Sequence, residues 1–171
     1  MTKKLKTVST AARSKSPHQR RVEEFMLRAG HAAPDVPALP DFHVLRLRLR
    51  LVIEEALELA EAFGIGVRPL GTSSDYDSWP LCMDNLSFNK SHEPDLVKAV
   101  DALADLSVVI TGAMSALGVA DVTLLKEVDA NNLAKFKDGC RIDQHGKFCK
   151  PPGHRPPDFK RVLSRQGYEN E

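Results

Sequence analysis

No run of apolar residues in this 171-residue chain approaches the roughly 18 that a membrane span needs, and the lysines near the N-terminus are followed by neither an apolar stretch nor a cleavage site. Neither a membrane segment nor a secretory leader is expected, and a soluble, cytoplasmic protein is. Cysteine is scarce. Cys82, Cys140 and Cys149 are odd in number and include no Cys-x-x-Cys pair, which excludes a disulfide framework and points to reduced thiols. Internal repeats are missing, and no stretch alternates apolar and polar residues convincingly enough to stand as a strand. Acidic residues are absent from positions 1–21, which hold seven of the 24 Lys and Arg (Lys3, Lys4, Lys6, Arg13, Lys15, Arg20, Arg21). The rest of the chain sets 17 basic against 23 acidic side chains. An acidic body with a short basic arm does not favour nucleic acid as a partner. The arm reads first as a frayed, flexible terminus, and contact with a nucleic acid or a membrane surface is the alternative.

What is present suits one globular core: 42% hydrophobic and 27% charged residues, at a length typical of a single domain. Five helices follow from spacing and stop signals. Val22, Phe25, Met26 and Leu27 support a short one over 22–29, stopped by Gly30. After a connector stiffened by Pro34, Pro37 and Pro40, residues 45–51 alternate leucine with arginine and taken alone resemble a strand. The continuation decides for a helix over 41–63: Leu45, Leu49, Val52, Ile53, Ala56, Leu57, Ala60 and Phe63 fall at helical spacing between Asp41 as N-cap and Gly64 as stop. Residues 64–92, rich in glycine, proline and polar side chains, hold no long regular element. Pro94 opens a second long helix through Leu117 that is apolar nearly all round and is expected to be central. Asp121 caps a third long helix to about Phe136, ended by Asp138 and Gly139, and a short one fits 158–166. The fold class is all-α. The domain organisation is a basic arm 1–21, a helical domain 22–138 and a proline-rich extension 139–171.

Four carboxylates stand out in the first long helix. Glu54 and Glu58 are four residues apart and Glu55 and Glu58 three, so they share a side of the cylinder, with Glu61 one turn on, and only Arg50 offers compensation within the helix. In the otherwise apolar second helix Asp101 and Asp105 are again four apart. Carboxylates on a central helix are costly unless paired or metal-bound. If the two long helices pack antiparallel, Glu55 and Glu58 can face Asp101 and Asp105, an oxygen-only set suited to Mg²⁺ or Mn²⁺ and to phosphoryl chemistry. The plain alternative is a solvated acidic face with the aspartates paired to Arg46, Arg48 or Arg50.

These residues resemble the motifs of the all-α nucleoside triphosphate pyrophosphohydrolases, the MazG-like and phosphoribosyl-ATP pyrophosphohydrolase-like proteins. Glu54-Glu55-x-x-Glu58 is similar to the first acidic motif, and Asp101-x-x-x-Asp105 to the second, which usually reads Glu-x-x-Asp. Asn132-x-x-Lys135 resembles the third, and Gly146-Lys147-x-x-Lys150 with Pro156-Pro157-Asp158 resembles the ending of phosphoribosyl-ATP pyrophosphohydrolase-like proteins. The likeness spans about residues 20–165, with one departure: Ala102 stands where the second motif commonly has glutamate. The resemblance implies a MazG-like helical bundle completed by oligomerisation, as a homodimer or homotetramer. It implies Glu55, Glu58 and Asp105 as Mg²⁺ ligands with Asp101 joining them, Mn²⁺ as a substitute, and Glu54 as the base orienting water. Asn132 and Lys135 would contact the phosphates, with Lys147 and Lys150 closing over them. The reaction implied is cleavage of a nucleoside triphosphate to monophosphate and pyrophosphate. Phosphoribosyl-ATP is the alternative substrate, and a non-catalytic helical regulator, for which Ala102 speaks, is a third possibility.

Two weaker patterns remain. Cys140, His145, Cys149 and His154 have a spacing that could hold zinc, against unrelated thiols and imidazoles. Tyr76, Trp79 and Phe88 could stack on a base, against plugging a gap over the helices.

Overall fold

The computed structural model describes residues 10–70, 83–136, 141–144, 146 and 148–169. Its α-helices are α1 (Pro17–Arg28), α2 (Phe42–Ala62), α3 (Leu96–Ala116), α4 (Asp121–Leu133) and α5 (Phe159–Gln166). The architecture is all-α, with two small hairpins where none was expected. Strand β1 (Ile65–Pro69) pairs antiparallel with β2 (Leu86–Lys90), in register Ile65 with Lys90 and Pro69 with Leu86, and β3 (Arg141–Ile142) pairs with β4 (Phe148–Cys149). Five-residue strands, one of them carrying both Gly66 and Pro69, are too short and too glycine- and proline-marked for periodicity to expose. The chain divides into two compact units, 42–110 and 1–41 with 111–171.

In the unit 42–110, α2 runs into the hairpin through Gly64. Its φ is +69°, and a Cβ there would lie 2.2 Å from the His92 carbonyl oxygen, so only glycine fits. Gly64 accepts from the Ser91 amide at 2.7 Å, and the Asp95 amide donates to Ala62 at 2.8 Å, which ties the end of α2 to the start of α3. Asp95 also accepts from the amides of Val97 and Lys98. It caps the helix, which starts at Leu96, so Pro94, expected to open it, lies ahead of it. The expectation that α3 is central holds only for its small residues: Ala99 and Ala102 are buried, whereas Leu96, Val97, Val100, Leu103 and Ile110 are exposed.

The other unit is held at the turn between α3 and α4. Gln19 and Gln166 are fully buried. Gln19 donates to Ser115 Oγ (3.1 Å) and the Val119 carbonyl (2.8 Å) and accepts from the Asp121 amide (2.9 Å). Gln166 accepts from the Ala120 amide (2.8 Å) and donates to the Ala120 carbonyl (2.9 Å) and Thr123 Oγ1 (2.8 Å). Two sequence expectations change here. The basic arm does not extend to residue 21, because Ser16 caps α1 and Gln19 enters the core. Asp121 is not the N-cap of α4 either. Ala120 holds that position, and Asp121, buried at the first helical residue, accepts from the Ser16 amide at 2.8 Å. The extension packs on α4: Glu127 accepts from the Asp158 amide and from Arg161 (2.8 Å), while Asn131 donates to the Arg155 carbonyl (2.7 Å).

Candidate active site

Within the unit 42–110, α2 presents a shielded stripe through Val44, Arg48, Leu51, Val52, Glu55, Leu59 and Ala62. The steps of three and four follow the helical period, so these side chains lie on one face. Glu55 is half-buried on this stripe, while Glu54, Glu58 and Glu61 are exposed, as are Asp101 and Asp105 on α3. The Oε2 atom of Glu55 is shielded from solvent and has no hydrogen-bond partner. Desolvation pushes its carboxyl above the ordinary value of 4.5, and the negative charges of Glu58, Asp105, Glu54 and Asp101 push it further the same way. Five of the six carboxylates named from the sequence therefore share one electrostatic neighbourhood, and Glu61 is not among them.

The aspartates are not neutralised by arginine. Among the described residues no ion pair joins Asp101 or Asp105 to Arg46, Arg48 or Arg50. Nor do the carboxylates meet at a common point: among the described residues no three of His, Cys, Asp and Glu are arranged to hold a metal ion as they stand. Like charges on neighbouring turns spread apart, so convergence on a cation requires side-chain rotation. The donor set nonetheless fits a hard divalent cation, since it is all oxygen, largely solvent-facing, and includes one buried carboxylate oxygen with nothing to bind. Ala102 is 5% exposed. A buried methyl thus stands where the usual motif has a carboxylate, with the exposed Asp101 next to it.

The remaining sequence-derived residues lie in the other unit. Lys135, just beyond the end of α4, donates to Asn132 Oδ1 at 2.7 Å, so the two polar members of Asn-x-x-Lys are joined. Lys150 is exposed after β4, and Lys147 lies outside the described residues. Of the zinc-like spacing, Cys140 and His145 lie outside the described residues, Cys149 is an exposed free thiol, and His154 Nε2 is 3.1 Å from Asn131 Oδ1. Tyr76 and Trp79 are likewise outside, and Phe88 on β2 is exposed. Sequence reasoning named Arg48 only with Arg46 and Arg50, as an ion-pair partner for the aspartates; only the phase of the helix, which sets it in line with Glu55, could have singled it out.

Helices bearing paired acidic motifs in this order define the class of all-α nucleotide pyrophosphohydrolases. The sequence profile of the phosphoribosyl-ATP pyrophosphohydrolase family matches residues 22–132, and the chain belongs to that family, within the MazG-like all-α NTP pyrophosphohydrolase superfamily. The matched region contains both acidic motifs and ends at Asn132, short of Lys135, Lys147 and Lys150. No curated protein matches the chain. Among the described residues no single helix is long and apolar enough to cross a membrane.

Proposed function

We propose that the protein hydrolyses the α–β phosphoanhydride of a nucleoside triphosphate or deoxynucleoside triphosphate, releasing the monophosphate and pyrophosphate. The observation that carries this is that Glu54, Glu58, Asp101 and Asp105 stand near enough for their charges to act on Glu55, whose Oε2 has no hydrogen-bond partner, on a chain of a pyrophosphohydrolase family. Glu55, Glu58, Asp105 and Asp101 would hold Mg²⁺, with Mn²⁺ as a substitute. A bound divalent cation offsets the negative charge of a polyphosphate and makes water a better nucleophile. Glu54, exposed beside them, would orient water for attack. Asn132, Lys135, Lys147 and Lys150 would contact phosphate oxygens, Lys135 exchanging its bond to Asn132 for one to the substrate.

Phosphoribosyl-ATP, the family's namesake substrate, is the second candidate. It keeps a triphosphate and is favoured by the family match itself. A pyrophosphate-release screen over the common NTPs and dNTPs and phosphoribosyl-ATP, with Mg²⁺ and with Mn²⁺, separates the two. Turnover of none of these compounds contradicts the proposal.

We also propose a homodimer or homotetramer. Its support is the apolar surface that one copy leaves open, through Leu49, Ile53 and Leu57 on α2 and Leu96, Val97, Val100 and Leu103 on α3. Light scattering at micromolar concentration should give a multiple of 18.9 kDa, and a monomer there contradicts it.

A further inference from the structure

Among the described residues three buried side-chain atoms have no hydrogen-bond partner, and two of them, Arg48 Nε and Glu55 Oε2, belong to the same stripe of α2. The third is on Glu23, which has Lys15 Nζ 2.9 Å away. Seven residues separate Arg48 from Glu55, two turns or about 10 Å along the axis, so they line up without reaching each other. Leu51 and Val52 lie between them. The positions one turn either side of Arg48 are Val44, Leu45, Leu51 and Val52, so α2 itself offers no counter-charge. Arg46 and Arg50, its neighbours in the leucine–arginine alternation, are exposed, and of the three Arg48 alone is part-shielded. Burial without a partner disfavours the charged guanidinium and pushes its pKa down. Shielding one guanidinium nitrogen without a hydrogen-bond partner gives up stability.

We propose that Arg48 binds the pyrophosphate end of the substrate, an inference that rests on the activity proposed above. A cation-bound polyphosphate is a dipolar ligand, positive where the cation lies and negative along its terminal phosphates. A part-shielded stripe with an unpartnered carboxylate oxygen, Glu55 Oε2, at one end and an unpartnered guanidinium nitrogen, Arg48 Nε, two turns away has the matching polarity. The guanidinium fork suits phosphate oxygens in particular, since it can give two parallel N–H bonds to one group. Arg48 touches no bond that is made or broken, so its effect falls on binding: it holds the departing pyrophosphate and sets how tightly that product stays.

The test is isothermal titration of the full-length protein with inorganic pyrophosphate in Mg²⁺ buffer, comparing wild type with Arg48→Lys and Arg48→Met, with light scattering and thermal unfolding alongside. Pyrophosphate affinity should fall at least about 10-fold in Arg48→Met, the scale of one lost charged hydrogen bond, and less in Arg48→Lys. The Tm of Arg48→Met should be unchanged or higher, which an arginine of purely structural role would not give. KM for the nucleotide should rise more than kcat falls. Equal pyrophosphate affinity in all three proteins overturns the inference while leaving hydrolysis by the wild type untouched. Loss of oligomers in Arg48→Met overturns it as well, since the guanidinium's partner would then be a second copy of the chain. A wild type that binds pyrophosphate but cleaves no substrate sinks the proposed activity and leaves the anion site standing.

Discussion

Glu55 on α2 and Asp105 on α3, from opposite sides of the 64–92 connection, lie close enough that the aspartate's charge raises the glutamate's pKa. Acidic pairs at helical spacing occur on many solvated helices, but here the charges of both helices act on one carboxyl, that of Glu55. The ties from Gly64 to Ser91 and from Ala62 to Asp95 explain how, because they bring the end of α2 and the start of α3 together.

The first consequence is a pH dependence of stability. Glu55 holds its proton more tightly folded than unfolded, so stability falls as pH rises from the ordinary value of 4.5 through the raised folded-state value. Above that window the ionised carboxylate is a standing cost. In chelated buffer at neutral pH, Glu55→Gln should therefore melt higher than wild type. The gain is at most roughly 2–4 °C, because screening at a half-exposed site limits the cost to about 1 kcal/mol or less. The gap should close below about pH 4.5, as followed by circular dichroism melts across the pH range.

Removing a proposed ligand should separate activity from folding. Asp105→Asn and Glu58→Gln each delete one charge from an exposed position. Pyrophosphate release should drop by at least about 100-fold, since losing cation-mediated stabilisation costs several kcal/mol of barrier. The far-ultraviolet spectrum should not change, and retained turnover in both variants speaks against the assignment.

The buried glutamines make a contrasting prediction about structure alone. Gln19→Ala or Gln166→Ala leaves backbone groups at 119–121 without partners and should cost about 1–3 kcal/mol in urea unfolding. Both side chains serve the same turn, so the double variant should cost less than the sum of the two singles.

Two glycines with similar backbone angles should respond differently to alanine. At Gly118, φ +69°, a Cβ would lie 2.2 Å from the Val36 carbonyl oxygen, whereas at Gly30, φ +80°, it would meet nothing within 4 Å. Gly30→Ala should cost about 1–2 kcal/mol, the left-handed penalty alone. Gly118→Ala should cost clearly more, as read from the same urea curves.

The sequence made much of this legible, for physical reasons. Helices α2 and α3 are long and strongly periodic, and both lie within two residues of the bounds read from spacing. The carboxylates could be placed on shared faces because i, i+3 and i, i+4 spacing is fixed by helix geometry. What escaped depends on tertiary partners. Gln19 stands in a basic, acid-free stretch that looks like a loose arm, and only its bonds to Ser115, Val119 and Asp121 make it a core residue. The β1–β2 pair is a contact between segments that carry little signal alone. Arg48 was hidden among identical neighbours, distinguished only by which way α2 faces.

The central claim is that carboxylates from α2 and α3 form one divalent-cation site, and titration of Mn²⁺ into the full-length protein, followed by electron paramagnetic resonance, addresses it most directly. Wild type should bind Mn²⁺ at millimolar metal or below, with binding strongly weakened both in Glu55→Gln on one helix and in Asp105→Asn on the other. A wild type that does not bind Mn²⁺, as a helical regulator without the chemistry would not, contradicts the account, and so does binding that neither substitution changes.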